Sequence, residues 1–472
     1  MNDFLELDKL HEECGVIGVY APGTPAVSQM LCFGLIALQH RGQESAGIAV
    51  LKDEKIQYYK EMGLVQEVFN SEILDRLPGD IGIGHVRYST TGESYVSNAQ
   101  PLVVRYKGGS IALAHNGNLV NASDIRDRLE DEGSIFQTSI DSEVIANLIA
   151  RNYHMGMKEA VIESVKEIKG SFALVVMIDH MLIGVRDPHG LRPLSIAKLD
   201  GGYVLASETV AHDVVGAEFV RDVEPGEIVI IDKNGIQSII YDHSCRKSLC
   251  SFEYVYFARP DSIIDGKNVF VARKESGKIL ARENPVDADM VIAVPDSGVA
   301  AAIGYAEESG IPYNVGMIKN KYMGRTFIQP DQKSRELAVR LKLNVLKENV
   351  DGKRLILIDD SIVRGTTSKR IVGMLKAAGA KEVHIRVSSP PVMHPCYFGI
   401  DTPNRIQLVG ATHTIDEIRD MVGADSVAYL SVEGLMRSIG DQKPGKCGLC
   451  TACFDGDYPM DVPEEANKFM FE

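Results

Sequence analysis

Residues 355–367 read LILIDDSIVRGTT, and this stretch decides the fold of the second half of the chain. Leu355–Ile358 is four apolar residues without polar alternation, the pattern of a strand buried on both faces of a parallel sheet. It delivers two adjacent carboxylates, Asp359 and Asp360. A small, hydroxyl-rich turn follows, Ser361 to Thr367, and then a helix expected over Ser368–Ala378. Strand, turn and helix N-terminus aim free backbone N–H groups and the positive end of the helix dipole at one place, which makes an anion cradle. Paired acids beside it suit a ligand with both hydroxyls and a phosphate. The acids can hold a diol or Mg²⁺, and the turn can hold the phosphate.

Two further stretches share this grammar. VIAVPDSG at 291–298 and KEVHIRVSSP at 381–390 are strands of the buried type, the first leading into a small-residue turn and a helix. Repeated strand–turn–helix units predict an α/β domain with a parallel, doubly wound sheet. The first half reads differently. CGVIGVY, SAGIAVL, DIGIGHVRYS, GSIALAHNGN, SFALVVMID, MLIGVRD and YVLASE are short strands with turn residues between them, while Val27–His40 and Asp141–Arg151 look helical. That density predicts an α+β domain with stacked sheets. The character changes near residues 230–255, after VEPGEIVIIDKNGI.

The 472 residues are too many for one core, so two or three domains are expected. A net charge of −15 argues against nucleic acid or a membrane surface as the partner of the whole chain. No apolar run reaches the roughly 18 residues that span a bilayer. The start, MNDFLELDKLHEE, is acidic and lacks the apolar stretch of a secretory signal, so a cytoplasmic location is expected. Eight cysteines in such a chain are not a disulfide framework, and CGLCTAC at 447–453 points to a metal or cluster.

Cys14 opens a strand after a short polar leader. If residues 1–13 are removed as a propeptide, Cys14 gains a free α-amine that can act as base for its own thiol. On its own, a buried core cysteine is the alternative. The stretches QHRGQESAG at 39–47, GHVRYST at 84–90 and HNGNL at 115–119 resemble the glutamine amidotransferase domain of the N-terminal nucleophile type. Residues 355–367 resemble the phosphoribosyl pyrophosphate (PRPP) signature of type I phosphoribosyltransferases. Together, over roughly residues 14–454, the chain resembles the amidophosphoribosyltransferase family, in its branch that carries a propeptide and an iron–sulfur cluster.

The resemblance implies an αββα amidotransferase sandwich over 14–245, then a type I phosphoribosyltransferase domain over 246–458 with a cluster-binding C-terminal segment, and a tail over 459–472. It implies glutamine hydrolysis at Cys14 and transfer of the ammonia to C1 of PRPP. The products are 5-phosphoribosylamine, glutamate and pyrophosphate, in the first committed step of purine synthesis. It implies a homo-oligomer and inhibition by purine nucleotides. The residues agree with it chemically. Amide hydrolysis passes through an oxyanion that wants preorganised donors, which the Asn116 side chain and the Gly117 N–H can supply. Asn116-Gly117 also reads as a type I′ hairpin turn. Arg87 can fork onto the α-carboxylate of glutamine, and Asp141 binds its ammonium by resemblance. A surface ion pair and a helix N-cap are the respective alternatives. His85 reads as structural.

For PRPP the resemblance implies Asp359, Asp360, Ser361, Arg364, Gly365, Thr366 and Thr367, with Lys319, Lys321 and Arg325 on a basic loop that closes over the ligand. Arg335 and Lys342 are further phosphate candidates. Ser297, with Asp359 and Asp360, would ligate Mg²⁺. Cys250, Cys396, Cys450 and Cys453 match the four ligands of a [4Fe–4S] cluster. Four thiolates suit Zn²⁺ equally well, and Cys447 and Cys245 are rival ligands. Cys32 reads as core. Two other functions stay open: a non-catalytic PRPP-sensing regulator, and a glutamine-dependent amidotransferase with another acceptor.

Overall fold

The computed structural model describes residues 14–24, 26–88, 92–242, 246–320, 343–402, 404–440 and 448–463. All seven strands expected in the first half form, and they fall into two antiparallel sheets. One has seven strands, in the order Glu218–Asp222, Ser195–Leu199, Gly202–Ala206, Gly15–Tyr20, Ile81–Arg87, Ser45–Lys52 and Lys55–Met62. The other has six: Gly235–Ile240, Glu227–Asp232, Met181–Arg186, Gly170–Ile178, Gly109–Leu119 and Leu102–Tyr106. Val16, Ala49 and Ile83 of the first sheet pack against Ala114, Val175 and Met177 of the second. The helix Val27–Ala37 covers the outer face of one sheet through Leu31 and Leu35. Helices Ala122–Asp131, Ser142–Asn152 and Met157–Glu167 cover the other. The central strands therefore have two buried faces, which is why so many lack polar alternation. The result is the αββα sandwich.

The second half is built on four parallel strands, in the order Met290–Ala293, Arg354–Asp359, Glu382–Val387 and Ser426–Tyr429. Helices Val269–Glu283 and Val299–Ser309 pack on one face. Helices Thr366–Ala377 and Ile415–Val422 pack on the other. From Met290–Ala293 the chain first steps to one side, where Tyr313 bridges Val291. It then crosses to the other side, to Arg354–Asp359. Strand order thus reverses beside Met290–Ala293, and ligands of open α/β sheets bind at the carboxyl ends of strands at such a point. The turns 294–298 and 359–365 leave the sheet there.

Three arginines of the first half, Arg41, Arg186 and Arg192, are among the largest fully buried side chains. All three reach the second half: Arg41 bonds Glu253, Arg186 bonds Asp265, and Arg192 bonds the Phe398 carbonyl. Buried charge persists only when paired and hydrogen-bonded, so the junction between the halves is a specific polar seam. Among the described residues no helix is long and apolar enough to cross a membrane. Met460 and Val462, expected in the tail, pack against Phe398 and Cys450. The remaining tail residues 464–472 and residues 1–13, expected as a propeptide, lie outside the described residues.

Candidate active sites

Cys14 immediately precedes a strand whose Gly15 pairs with Val86, so it sits beside Arg87 and Tyr88. Its Sγ donates to the Tyr88 carbonyl at 3.4 Å. Burial pushes the thiol up to about 11, against the Tyr88 hydrogen bond and the Arg87 charge. Glu44 and Asp141 also act on it electrostatically. Arg87 is buried, and its guanidinium donates to the carbonyls of Glu93 and Gly92 at 3.3 Å each.

Asn116 and Gly117 lie within the strand Gly109–Leu119, opposite Ala173 and Phe172. The hairpin-turn alternative is thereby overturned. Along a strand, successive N–H groups point to opposite sides. On the side away from Gly170–Ile178, the His115 N–H donates to Gln100 Oε1 at 2.7 Å and the Leu119 N–H to Asp141 Oδ2 at 2.9 Å. Gly117 stands between them, and the neighbouring strand on that side stops pairing at Leu113. The Gly117 N–H therefore points at an open sheet edge. A side chain cannot stand here: φ is +146° and a Cβ would lie 2.0 Å from the Ser171 carbonyl oxygen. Asn116 is 1% exposed, and neither end of its amide has a partner. A buried amide without partners calls for an explanation, and an oxyanion and its leaving nitrogen supply one.

Asp141 precedes the helix Ser142–Asn152 but makes no side-chain cap, which removes the N-cap alternative. It accepts from Leu119 N and from Ser142 Oγ at 3.3 Å, with His115 Nδ1 at 3.6 Å. Burial opposes its charge, but His115, Leu119 and Ser142 outweigh burial and hold the carboxyl below its usual range. His85 is pushed down to about 3 by burial and donates to the His115 carbonyl at 3.0 Å.

At the switch point, Asp359 and Asp360 are 2% and 1% exposed, and Ser361 Oγ donates to Asp360 Oδ2 at 2.9 Å. Gly365 adopts the left-handed conformation, and the helix begins at Thr366, two residues before its expected start. Arg364 Nη2 donates to Gln407 Oε1 at 3.1 Å. Across the crevice, Gly298 presses the 294–298 turn, with Ser297, onto the strand that carries the acids. A Cβ on it would lie 2.5 Å from the Ile358 carbonyl oxygen. Lys319 is exposed on a two-stranded ribbon, Met317–Lys319 with Leu343–Val345. Lys321, Arg325, Arg335 and Lys342 lie outside the described residues.

Cys250 and Cys450 are register partners in a short parallel pair, Leu249–Cys250 with Leu449–Cys450. With Cys396 and Cys453 they line one enclosed cavity, walled by Leu191, Arg192, Phe398 and Tyr458. Burial pushes the Cys250, Cys450 and Cys453 thiols up, and each is raised further by its neighbouring cysteines. Among the described residues no three His, Cys, Asp or Glu side chains converge on a single-ion position. Phe252 stacks on Phe454 at 5.5 Å, joining the two cysteine segments. Cys245 and Cys447 lie outside the described residues. Cys32 is buried in its helix, as expected.

The sequence reading passed over Arg41, Glu208 and Glu253, which form a fully buried ion cluster. Arg41 stands in the quoted QHRGQ, but its carboxylates are 167 and 212 residues away. The sequence offered only the hint of a charge next to an apolar helix.

Comparison with known proteins covers nearly the whole chain. The glutamine amidotransferase domain family matches residues 85–212, and the phosphoribosyl transferase domain family matches residues 266–389. An amidophosphoribosyltransferase of Bacillus subtilis is 51% identical over 98% of this chain and 97% of its own length. One of Archaeoglobus fulgidus is 53% identical over 96% of this chain and 99% of its own. The solved glutamine PRPP amidotransferase of B. subtilis complexed with ADP and GMP superposes with a TM-score of 0.90 at 50% identity, covering 96% of this chain and 98% of that one. A structure described as the allosteric regulatory enzyme of purine biosynthesis gives 0.92 at 51%, with the same coverage.

Proposed function

Since the chain belongs to the amidophosphoribosyltransferase family, we propose how its own residues make 5-phosphoribosylamine from glutamine and PRPP. After removal of residues 1–13, the Cys14 α-amine takes the thiol proton and the sulfur attacks the glutamine side-chain amide. The oxyanion that forms takes hydrogen bonds from Asn116 Nδ2 and Gly117 N–H. The amine returns the proton to the departing nitrogen, and ammonia leaves a γ-glutamyl thioester that water cleaves to glutamate. Arg87 holds the α-carboxylate and Asp141 the α-ammonium. The observation that carries this reading is the unpartnered Asn116 amide beside a Gly117 N–H at an open sheet edge.

Ammonia then attacks C1 of PRPP, and the C1–O bond to pyrophosphate breaks. Asp359 and Asp360 orient the ribose hydroxyls. Ser361, Arg364, Gly365, Thr366 and Thr367 cradle the 5-phosphate at the helix N-terminus. Lys319, Lys321 and Arg325 supply positive charge for the pyrophosphate. Ser297, Asp359 and Asp360 are a hard oxygen set on the two turns of the crevice, and they fit Mg²⁺ shared with substrate phosphates. When bound, that ion neutralises charge on the leaving pyrophosphate. The four cysteines Cys250, Cys396, Cys450 and Cys453 suit a [4Fe–4S] cluster, the choice over zinc resting on family membership. All four line one cavity. A purine nucleotide carries the same ribose and 5′-phosphate as PRPP, so it competes for the same cradle.

The test is Cys14→Ala. It should lose glutamine-dependent synthesis and keep synthesis from ammonia. Equal survival of both activities would remove the nucleophile assignment.

A further inference from the structure

Arg41 belongs to neither reaction centre, yet one guanidinium makes contacts toward both. Its Nε donates to the Cys14 carbonyl oxygen at 3.1 Å. Its Nη1 donates to Glu208 Oε1 at 2.6 Å and to Glu253 Oε2 at 2.9 Å, and its Nη2 to Glu253 Oε1 at 2.7 Å. All three side chains are fully buried. Glu253 belongs to the second half, where it opens a five-residue π-helical turn, Glu253–Phe257, three residues after Cys250. That turn is itself fastened: Arg273 donates to the carbonyls of Tyr254 at 2.6 Å and Ala258 at 2.8 Å, and Asp360 favours its charge electrostatically. Glu208 is fixed from the same half, by Ser262 Oγ at 2.5 Å and Arg259 N at 3.0 Å.

A salt bridge made only for stability has no need of the nucleophile's own backbone. Fixing the Cys14 carbonyl fixes the rotation about its Cα–C bond, and with it the directions of the α-nitrogen and Sγ. A planar fork can hold a carboxylate and a carbonyl together, whereas an ammonium acts as a point charge.

We propose that Arg41 and Glu253 form a positioning pair for the nucleophile, so that the glutamine site is aligned by a carboxylate of the phosphoribosyl half. This rests on the reading of Cys14 as the nucleophile. Neither residue touches glutamine or PRPP.

The experiment compares full-length wild type, Arg41→Lys, Glu253→Gln and the double variant, measuring kcat and KM with glutamine and with ammonia as nitrogen donor. Each single variant should lose about 100-fold in glutamine-dependent kcat, the scale of a 1 Å misplacement. KM for glutamine should stay within about threefold, and ammonia-dependent synthesis should be retained. The double variant should be no worse than the worse single, because the two act as one unit. A parallel fall of both activities would show a structural brace and overturn the proposal. So would multiplying effects in the double variant, or a wild-type glutamine-dependent kcat. Should Arg41→Lys fail to fold, the near-isosteric Glu253→Gln decides alone on the ratio of the two activities. Cys14→Ala, run alongside, separates the premise. If it keeps glutamine-dependent synthesis, the nucleophile is wrong whatever the pair does.

Discussion

A side-chain amide that is 1% exposed with neither end bonded is costly, and Asn116 is such a group. An unpaired buried polar group costs about 1–3 kcal/mol, a loss that the proposed oxyanion contact would recover. Asn116→Ala should therefore cut glutamine-dependent kcat by about 10²–10³, the scale of losing one oxyanion donor. Its thermal midpoint should not fall, and a clear drop would mean that the amide is structural. Asp141 behaves in the opposite way. Its carboxyl is held below the usual range in the folded protein, so on acidification the unfolded chain takes up the proton first. Its contribution is complete above about pH 4 and is lost as pH falls through the lower folded value. Denaturation midpoints of wild type and Asp141→Asn, measured from pH 7 to pH 3, should converge only below about pH 4. A gap independent of pH would remove the charge from the argument. Asp141 was named by resemblance, whereas Asn116 was legible in the sequence because it sits in a short stretch with a chemical pattern. Arg41 was not, because its meaning lies in carboxylates that only the folded chain brings to it.

At the scale of elements, the turn 294–298 and the strand Arg354–Asp359 are held together by the missing side chain of Gly298. Gly298→Ala places a methyl 2.5 Å from a backbone oxygen, where neither partner is a flexible side-chain end. The turn must move away from Asp359 and Asp360. KM for PRPP should rise by at least about tenfold, given how steeply activity depends on such displacements. Glutamine hydrolysis by the other half should be spared. An unchanged KM for PRPP would separate this turn from the site. Apolar runs such as Leu355–Ile358 gave these strands away, since burial on both faces leaves a strong trace. Asn116-Gly117 misled in one of its two readings because the dipeptide is a turn former in isolation. Pairing along Gly170–Ile178 overrides that local preference. Lys55–Met62 was invisible for a different reason: it is an edge strand, largely exposed, whose charged and aromatic residues carry no burial pattern. The helix at Thr366 started early because the left-handed Gly365 ends the turn there.

For the whole molecule, the cysteine cavity lies where the two halves meet, with Leu191 and Arg192 on one side and Cys396, Cys450 and Cys453 on the other. No spacing rule joins residues 250, 396 and 450, so family resemblance alone made the set legible, and the fold then gathered it. The loop that carries Cys396 also reaches the other site. The Asn118 amide donates to the Tyr397 carbonyl at 3.0 Å, and Ser171 Oγ donates to the Phe398 carbonyl at 2.6 Å. Asn118 and Ser171 flank the strand pair that presents Asn116 and Gly117. A bound cluster would fix this loop and the pairing of Leu249–Cys250 with Leu449–Cys450, and without it four thiols remain packed in an apolar cavity. Purified protein should hold about four irons per chain and no zinc, as a four-iron centre requires. Cys450→Ser should lose the iron and unfold roughly 5–10 °C lower, as loss of a few kcal/mol implies for halves of this size. Backbone amides at 116–119 and 170–173 should exchange hydrogen faster in the variant, although they lie in the other half. A Cys450→Ser protein that is free of iron yet matches wild type in midpoint and in exchange at those amides would detach the cysteines from the glutamine site.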